Sequence, residues 1–240
     1  MRHEIRFLLG DEFQELTSID PTLTVLEWLR GSRRHGTKEG CNEGDCGACT
    51  IVVARPENGQ LRYRAVNSCI QFVATLDGCR VLTVENLKQN GSLHAVQRAM
   101  IDCHASQCGF CTPGFVMSLF AMTKEFAAPP SEREIDDILA GNLCRCTGYA
   151  PIVRAARRAY DLGAGDDPSV SAKVQTRLKN LNDGQSYCLS QGKRQFFAPP
   201  TFKHWQMSLR PTRKRRSLRA RPMLAHGLQR VCSGPILSSG

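Results

Sequence analysis

Glu39-Gly-Cys-Asn-Glu-Gly-Asp-Cys-Gly-Ala-Cys-Thr50 places Cys41, Cys46 and Cys49 at C-x4-C-x2-C spacing, with Gly40, Gly44 and Gly47 among them. Cys69 follows at a distance. So much glycine and cysteine makes the stretch a loop, and the spacing is that of a plant-type [2Fe–2S] site. Such a core needs four thiolates, two per iron, so the backbone must wrap a small, negatively charged object. The glycines reach conformations other residues resist. They also let backbone N–H groups point at sulfur, which tunes the reduction potential. A tetrahedral zinc site is the competing reading. Structural zinc more often uses two short C-x2–4-C pairs or Cys/His mixtures, and the long first gap with a remote fourth cysteine suits iron better.

A second group repeats the chemistry. Cys108-Gly-Phe-Cys111 and Cys144-Arg-Cys146 supply four more thiols. The C-x2-C precedes a helix that Thr112 can cap, with Pro113 at its first position, and a helix N-terminus favours a negative cluster. Cys103, Cys108 and Cys111 also have C-x4-C-x2-C spacing. Cys103 ends a predicted helix, however, and using it would strand Cys144 or Cys146, so it is set aside. Cys79, Cys188 and Cys232 have no partners at metal spacing and read as small buried or free thiols.

Outward from these groups the chain divides. Residues 4–9 and 13–17 form a predicted hairpin around Gly10-Asp11. Thr24-Val-Leu-Glu27 is a capping box for a helix running to about Gly31. Residues 51–54, 61–65 and 80–84 read as short strands, the first two joined by Glu57-Asn-Gly59. This is an α+β unit of about 85 residues. From residue 92 the period becomes helical: Leu93, Val96, Met100 and Ile101 share a face. Further helices begin near Thr112, at the capping box Ser131-Glu-Arg-Glu134, and at Pro151, giving a four-helix bundle. Residues 163–183 read as a linker.

Of 240 residues, 41% are hydrophobic and 22% charged, so a packed core is expected and collagen, coiled coil and wholesale disorder are excluded. There is no apolar run long enough to span a membrane and no secretory signal at Met1–Phe13, which predicts a cytoplasmic chain without a membrane partner. In a reducing compartment twelve cysteines call for metal rather than disulfides. The net charge of +10 is unevenly spread: residues 1–162 hold 18 Lys/Arg against 19 Asp/Glu, residues 163–240 hold 14 against 3, and no acid follows Asp183.

Glu39–Thr50, Gln107-Cys-Gly-Phe-Cys-Thr-Pro-Gly114 and Gly141-Asn-Leu-Cys-Arg-Cys-Thr-Gly-Tyr149 together resemble the molybdenum hydroxylases, in particular the iron–sulfur region of the xanthine dehydrogenases. The likeness runs from about residue 3 to 162. It implies a ferredoxin-like β-grasp domain over 1–86 and an all-α four-helix domain over 87–162, each with one [2Fe–2S] cluster. It assigns Cys41, Cys46, Cys49 and Cys69 to the first cluster and Cys108, Cys111, Cys144 and Cys146 to the second, and gives Cys103 no ligand role. It places Gln107 and Cys146 near the molybdopterin of a partner large subunit, which would bind the purine substrate. The implied role is electron transfer toward FAD and NAD, with no general acid, base or nucleophile on this chain.

Gly184–Pro199 is similar to the approach to an FAD domain, so 163–199 is read as linker and the start of FAD-domain-like sequence. After Pro199 the pattern stops. Residues 200–240 carry Arg213-Lys-Arg-Arg216, Arg219 and Arg221 and no acid, and are expected to be a disordered tail. One reading of that tail is a shifted frame that replaces most of the FAD domain, leaving an inactive fragment. Another is a basic nucleic-acid arm on a zinc-stabilised protein, although nucleic acid is not the expected partner. Relatives acting on aldehydes, carbon monoxide or N-heterocycles remain the nearer alternatives.

Overall fold

The computed structural model describes residues 1–88 and 91–199, so the disordered tail expected from 200 onward, with Cys232, lies outside the described residues. Strands β1 (Glu4–Leu9), β2 (Glu12–Thr17), β3 (Thr50–Glu57), β4 (Gln60–Asn67) and β5 (Arg80–Leu82) form one mixed sheet in the order β2-β1-β5-β3-β4. β5 runs parallel to β1 and antiparallel to β3. Asn58 (φ 49°) and Gly59 (φ 80°) turn β3 into β4, the left-handed pair a tight hairpin needs. Helix α1 (Val25–Gly31) opens with the Thr24–Glu27 capping box.

Strand alternation builds two cores at once. Ile5, Phe7, Leu9, Ile51, Val53 and Val81 face α1, where Val25 and Leu29 close the layer. Val52 and Leu82 face the other way, into the helical half. There α2 (Ala95–Asp102), α3 (Thr112–Glu125), α4 (Glu132–Leu139) and α5 (Ala150–Asp161) assemble around α3. α3 is buried continuously from Gly114 to Thr123, as befits a helix that is apolar on every side. α4 and α5 bury only Ile135, Leu139, Ile152 and a line of alanines. The architecture is therefore α+β, a β-grasp unit followed by a four-helix unit.

Three sequence expectations shift. Cys111, not Thr112, occupies the cap of α3, and Thr112 is its first helical residue. Val96 and Met100 are buried but Leu93 and Ile101 are 43% and 55% exposed, because a 3.6-residue period carries Ile101 off the face that Met100 occupies. The predicted linker over 163–183 is corrected. Asp167 caps helix α6 (Pro168–Leu181), with Pro168 in its first turn, and Val174 and Leu178 pack on Leu8, the β1 side chain that points away from α1. A second hairpin, β6 (Tyr187–Gln191) with β7 (Arg194–Ala198), then adds Tyr187, Leu189 and Phe196 to the α1 core. Arg2 fastens it: its guanidinium bonds both oxygens of Asp77 (3.0 and 2.7 Å), lies 2.9 Å from Asp183, and stacks 5.5 Å from the Tyr187 ring centroid.

The two halves meet backbone to backbone. A Cβ built on Gly114 would stand 2.2 Å from the Gly47 carbonyl oxygen. Gly114→Ala is expected to lower stability by about 1–3 kcal/mol, the usual scale of overpacking, in urea unfolding. Gly141→Ala, where a Cβ meets nothing within 4 Å, serves as the control with little change.

His94 caps α2, its Nδ1 accepting the Val96 N–H at 3.2 Å, and lies edge-on to Phe120. Burial, with the charge of Lys124, holds its pKa down from 6.5 to about 4. The folded chain thus binds this proton less readily than the unfolded one, so the stability involved is fully present above pH 6.5 and falls away as pH drops toward 4. Between pH 6.5 and 5 the loss is expected to be about 2 kcal/mol. His94→Asn, which keeps a capping side chain, should remove that component when the unfolding of parent and variant is compared across this range.

Candidate metal centres

The first thiol group is built by the loop between α1 and β3 and by the segment just after β4. Sulfurs here collect backbone donors. Asp45 N–H and Cys46 N–H each lie 3.3 Å from Cys41 Sγ, Cys41 N–H lies 3.3 Å from Cys46 Sγ, and Gly44 N–H lies 3.2 Å from Cys69 Sγ. Gly44 has φ +83°, and a Cβ there would also strike Ile70 at 2.8 Å. A Cβ on Gly40 would come within 2.6 Å of Cys46 Sγ. The loop can close over the sulfurs only because these positions carry no side chain. Asn67 Nδ2 donates to the Gly44 carbonyl at 2.7 Å and Arg30 pairs with Glu39 at 3.1 Å, so the loop is tied to regular elements both before its first cysteine and at its middle.

The second group sits at the N-terminus of α3 and in the α4–α5 connection. Cys146 Sγ lies 3.7 Å from Cys108 Sγ. Cys144 Sγ receives the Cys146 and Thr147 N–H groups at 3.4 Å each and lies 3.2 Å from the Thr147 hydroxyl. Tyr149, held at φ 70°, turns its hydroxyl to accept the Cys144 N–H at 2.9 Å and packs edge-on against Phe115. Gln107 Nε2 donates to the Cys146 carbonyl at 3.0 Å. Cys108 and Cys146 are exposed, whereas Cys49 and Cys69 are buried.

The thiols stand in pairs, and their acidities show it. Backbone N–H groups, foremost that of Glu43 and then those of Cys46 and Asp45, bring Cys41 down to about 7. Burial, then the adjoining Cys49, pushes Cys69 up to about 12. Burial, then the adjoining Cys144, pushes Cys111 up to about 12. Cys146 is raised by its neighbour Cys108. At Cys144 burial opposes ionisation, but the Thr147 hydroxyl and N–H and the Cys146 N–H outweigh it and bring the thiol down to about 7. Neighbouring thiols resist becoming thiolates together unless a cation lies between them. Among the described residues no group of three or more His, Cys, Asp and Glu side chains is arranged to hold a metal ion. A binuclear core asks for something different: two pairs of thiolates, one pair per iron, with N–H donors around the sulfurs. Cys41 with Cys46, Cys49 with Cys69, Cys108 with Cys146 and Cys111 with Cys144 have that form, and the donor set fits the group.

All eight candidate thiols therefore fall in the two expected regions. Cys103 caps the C-terminus of α2 and packs against the helical core. Cys79 is fully buried in the α1 core, and burial raises its pKa to about 11. Cys188 lies on β6. Thr147 and the Tyr149 hydroxyl stand out only in the structure. Gly148 before Tyr149 was the available sign of an unusual turn.

Comparison with known proteins agrees with this geometry. Residues 11–74 match the family described as a 2Fe-2S iron-sulfur cluster binding domain, and residues 83–157 match a [2Fe-2S] binding domain. The chain is 46% identical over 155 residues to xanthine dehydrogenase of Emericella nidulans, covering 64% of this chain and 11% of that protein. It is 43% identical over 200 residues to xanthine dehydrogenase 1 of Arabidopsis thaliana, covering 77% of this chain and 14% of that one. The chain thus spans only 11% and 14% of the length of these two relatives. The structure of quinoline 2-oxidoreductase from Pseudomonas putida superposes with a TM-score of 0.56 at 32% identity, covering 72% of this chain and 96% of the matched chain. With two successive [2Fe–2S]-binding domains and these relatives, the chain belongs to the molybdenum hydroxylase family, whose iron–sulfur region it carries.

Proposed function

We propose that this chain is the iron–sulfur electron-transfer part of a xanthine dehydrogenase, carrying electrons from a molybdopterin centre on a partner chain toward FAD and NAD. The observation behind this reading is the arrangement of eight thiols as four pairs in two successive sites. The proposed ligands are Cys41, Cys46, Cys49 and Cys69 in the β-grasp unit and Cys108, Cys111, Cys144 and Cys146 in the helical unit. Bound [2Fe–2S] clusters supply one-electron redox chemistry, and the polypeptide does the rest. N–H groups aimed at Cys41, Cys46, Cys69 and Cys144 favour the added negative charge of the reduced state. Burial of Cys49 and Cys69 keeps water from the inner side of the first site. Exposure of Cys108 and Cys146 gives the second site an open side toward a partner. Gln107, bonded to the Cys146 carbonyl, holds that open edge where the pterin is proposed to approach. No side chain here has to make or break a substrate bond. The proposed domain limits are 1–86 and 87–162, the proposed partner is a molybdenum-binding large subunit holding the purine, and the proposed location is the cytoplasm.

Anaerobically purified protein is expected to contain about four irons and four acid-labile sulfides per chain, with two distinct [2Fe–2S] signals in EPR after dithionite reduction. Cys69→Ser and Cys111→Ser should each remove one signal and spare the other. Zinc without sulfide would overturn the reading. When the chain is assembled with a molybdenum-binding partner, xanthine is expected to bleach the visible absorption. Bleaching by an aldehyde and not by xanthine would move the protein to the aldehyde-oxidising branch.

A further inference from the structure

Asn142 is a buried polar side chain, 4% exposed, standing where the two units touch. Its Nδ2 donates to the Gly47 carbonyl at 3.0 Å and to Thr50 Oγ1 at 3.2 Å, and its Oδ1 accepts the Ser118 hydroxyl at 2.6 Å. Thr50 Oγ1 in turn donates to the Gly47 carbonyl at 2.6 Å. The next backbone N–H, that of Leu143, donates to the Cys46 carbonyl at 2.9 Å. One amide therefore touches the segment between Cys46 and Cys49, the strand that follows it, and the helix that begins after Cys111, and it lies two residues before Cys144. Gly47 and Gly114 pack around it with no space for a Cβ.

From this junction we infer that Asn142 is a positioning residue that fixes the separation and relative orientation of the two iron–sulfur sites. The inference rests on the cluster assignment above. The chemistry selects asparagine. Two donors are needed toward Gly47 and Thr50 and one acceptor toward Ser118, and a neutral amide offers both, whereas a carboxylate offers acceptors alone. Buried polar groups satisfied on every side hold one arrangement in place of several, because any slippage leaves a donor or acceptor unpaired in a dry interior. The Leu143–Cys46 hydrogen bond makes the same junction the short connection between the two sites, from Cys46 through one hydrogen bond to the residue before Cys144.

The test is EPR of the dithionite-reduced full chain at low temperature, where two nearby paramagnetic clusters split each other's signals. Dipolar coupling falls with the cube of separation, so a shift of about 1 Å, the looseness that an unsupported site suffers, is readable. Asn142→Asp and Ser118→Ala are the variants. The expected result is that iron and sulfide stay at the parent level, both signals keep their own g-values, and the mutual splitting is lost or shifted, more in Asn142→Asp than in Ser118→Ala. If Asn142→Asp does not fold, Ser118→Ala decides the matter. Unchanged splitting in the cluster-loaded variants overturns the proposal, because a merely structural asparagine would lower stability and leave the splitting alone. Loss of one cluster with the other signal intact also overturns it, since Asn142 would then serve a single site. A parent chain lacking two iron–sulfur signals overturns the functional reading itself, and this proposal with it.

Discussion

A pair of thiolates side by side is a costly thing to place in a protein, and this fold sets eight thiols in four close pairs. Their charges repel, and burial removes the water that would otherwise screen them. Burial, and after it the neighbouring cysteine, pushes Cys69 and Cys111 up to about 12 where no cation lies between the sulfurs. The polypeptide answers with backbone N–H groups turned inward at Cys41, Cys46, Cys69 and Cys144. The loops close this tightly because Gly40 and Gly44 carry no side chain and because Tyr149 takes a left-handed conformation. The rest of the architecture keeps these loops from relaxing. α1, the sheet and Asn67 anchor one loop. α3, α4 and α5 anchor the other.

The sheet also explains why the two sites are neighbours. Alternate residues of β3 serve different cores, with Ile51 and Val53 toward α1 and Val52 toward the helices. The strand that leaves the first cysteine loop is thus a shared wall. The bare backbone of Gly47 against Gly114 brings the two loops together at the place where Asn142 has all its hydrogen-bonding groups engaged. The units are distinct in sequence pattern and continuous in packing.

Much of this was legible in the residues. Cysteine spacing marked both thiol groups, with interleaved glycines at the first, capping boxes at Thr24 and Ser131 located two helices, and Asn58-Gly59 located a hairpin. What escaped was long-range. α6 carries a cap at Asp167, Pro168 in its first turn, and Val170, Val174 and Leu178 four residues apart, yet its many polar residues and glycine-rich approach resemble a linker until Leu8 is seen to need a cover. Ile101 looked like core because an apolar residue beside a helical stripe cannot be told from one on it without the neighbours. Asn142 gave no signal of its own, since its partners lie in segments remote in sequence. Tyr149 sits in a left-handed conformation that its residue type does not announce.

The clamp formed by Arg2, Asp77, Asp183 and Tyr187 has a consequence for synthesis. Arg2 is made 185 residues ahead of Tyr187, and the Cys188 N–H bonds its carbonyl. Tyr187, Leu189 and Phe196 complete the α1 core. As the chain leaves the ribosome, the β-grasp unit therefore waits with one flank uncovered while the whole helical unit is translated. Contacts between residues so far apart in sequence form slowly and leave apolar surface exposed in the interval. The β-grasp unit is begun before the helical unit and completed after it, and the window for chaperone capture of its uncovered flank stays open until the hairpin arrives.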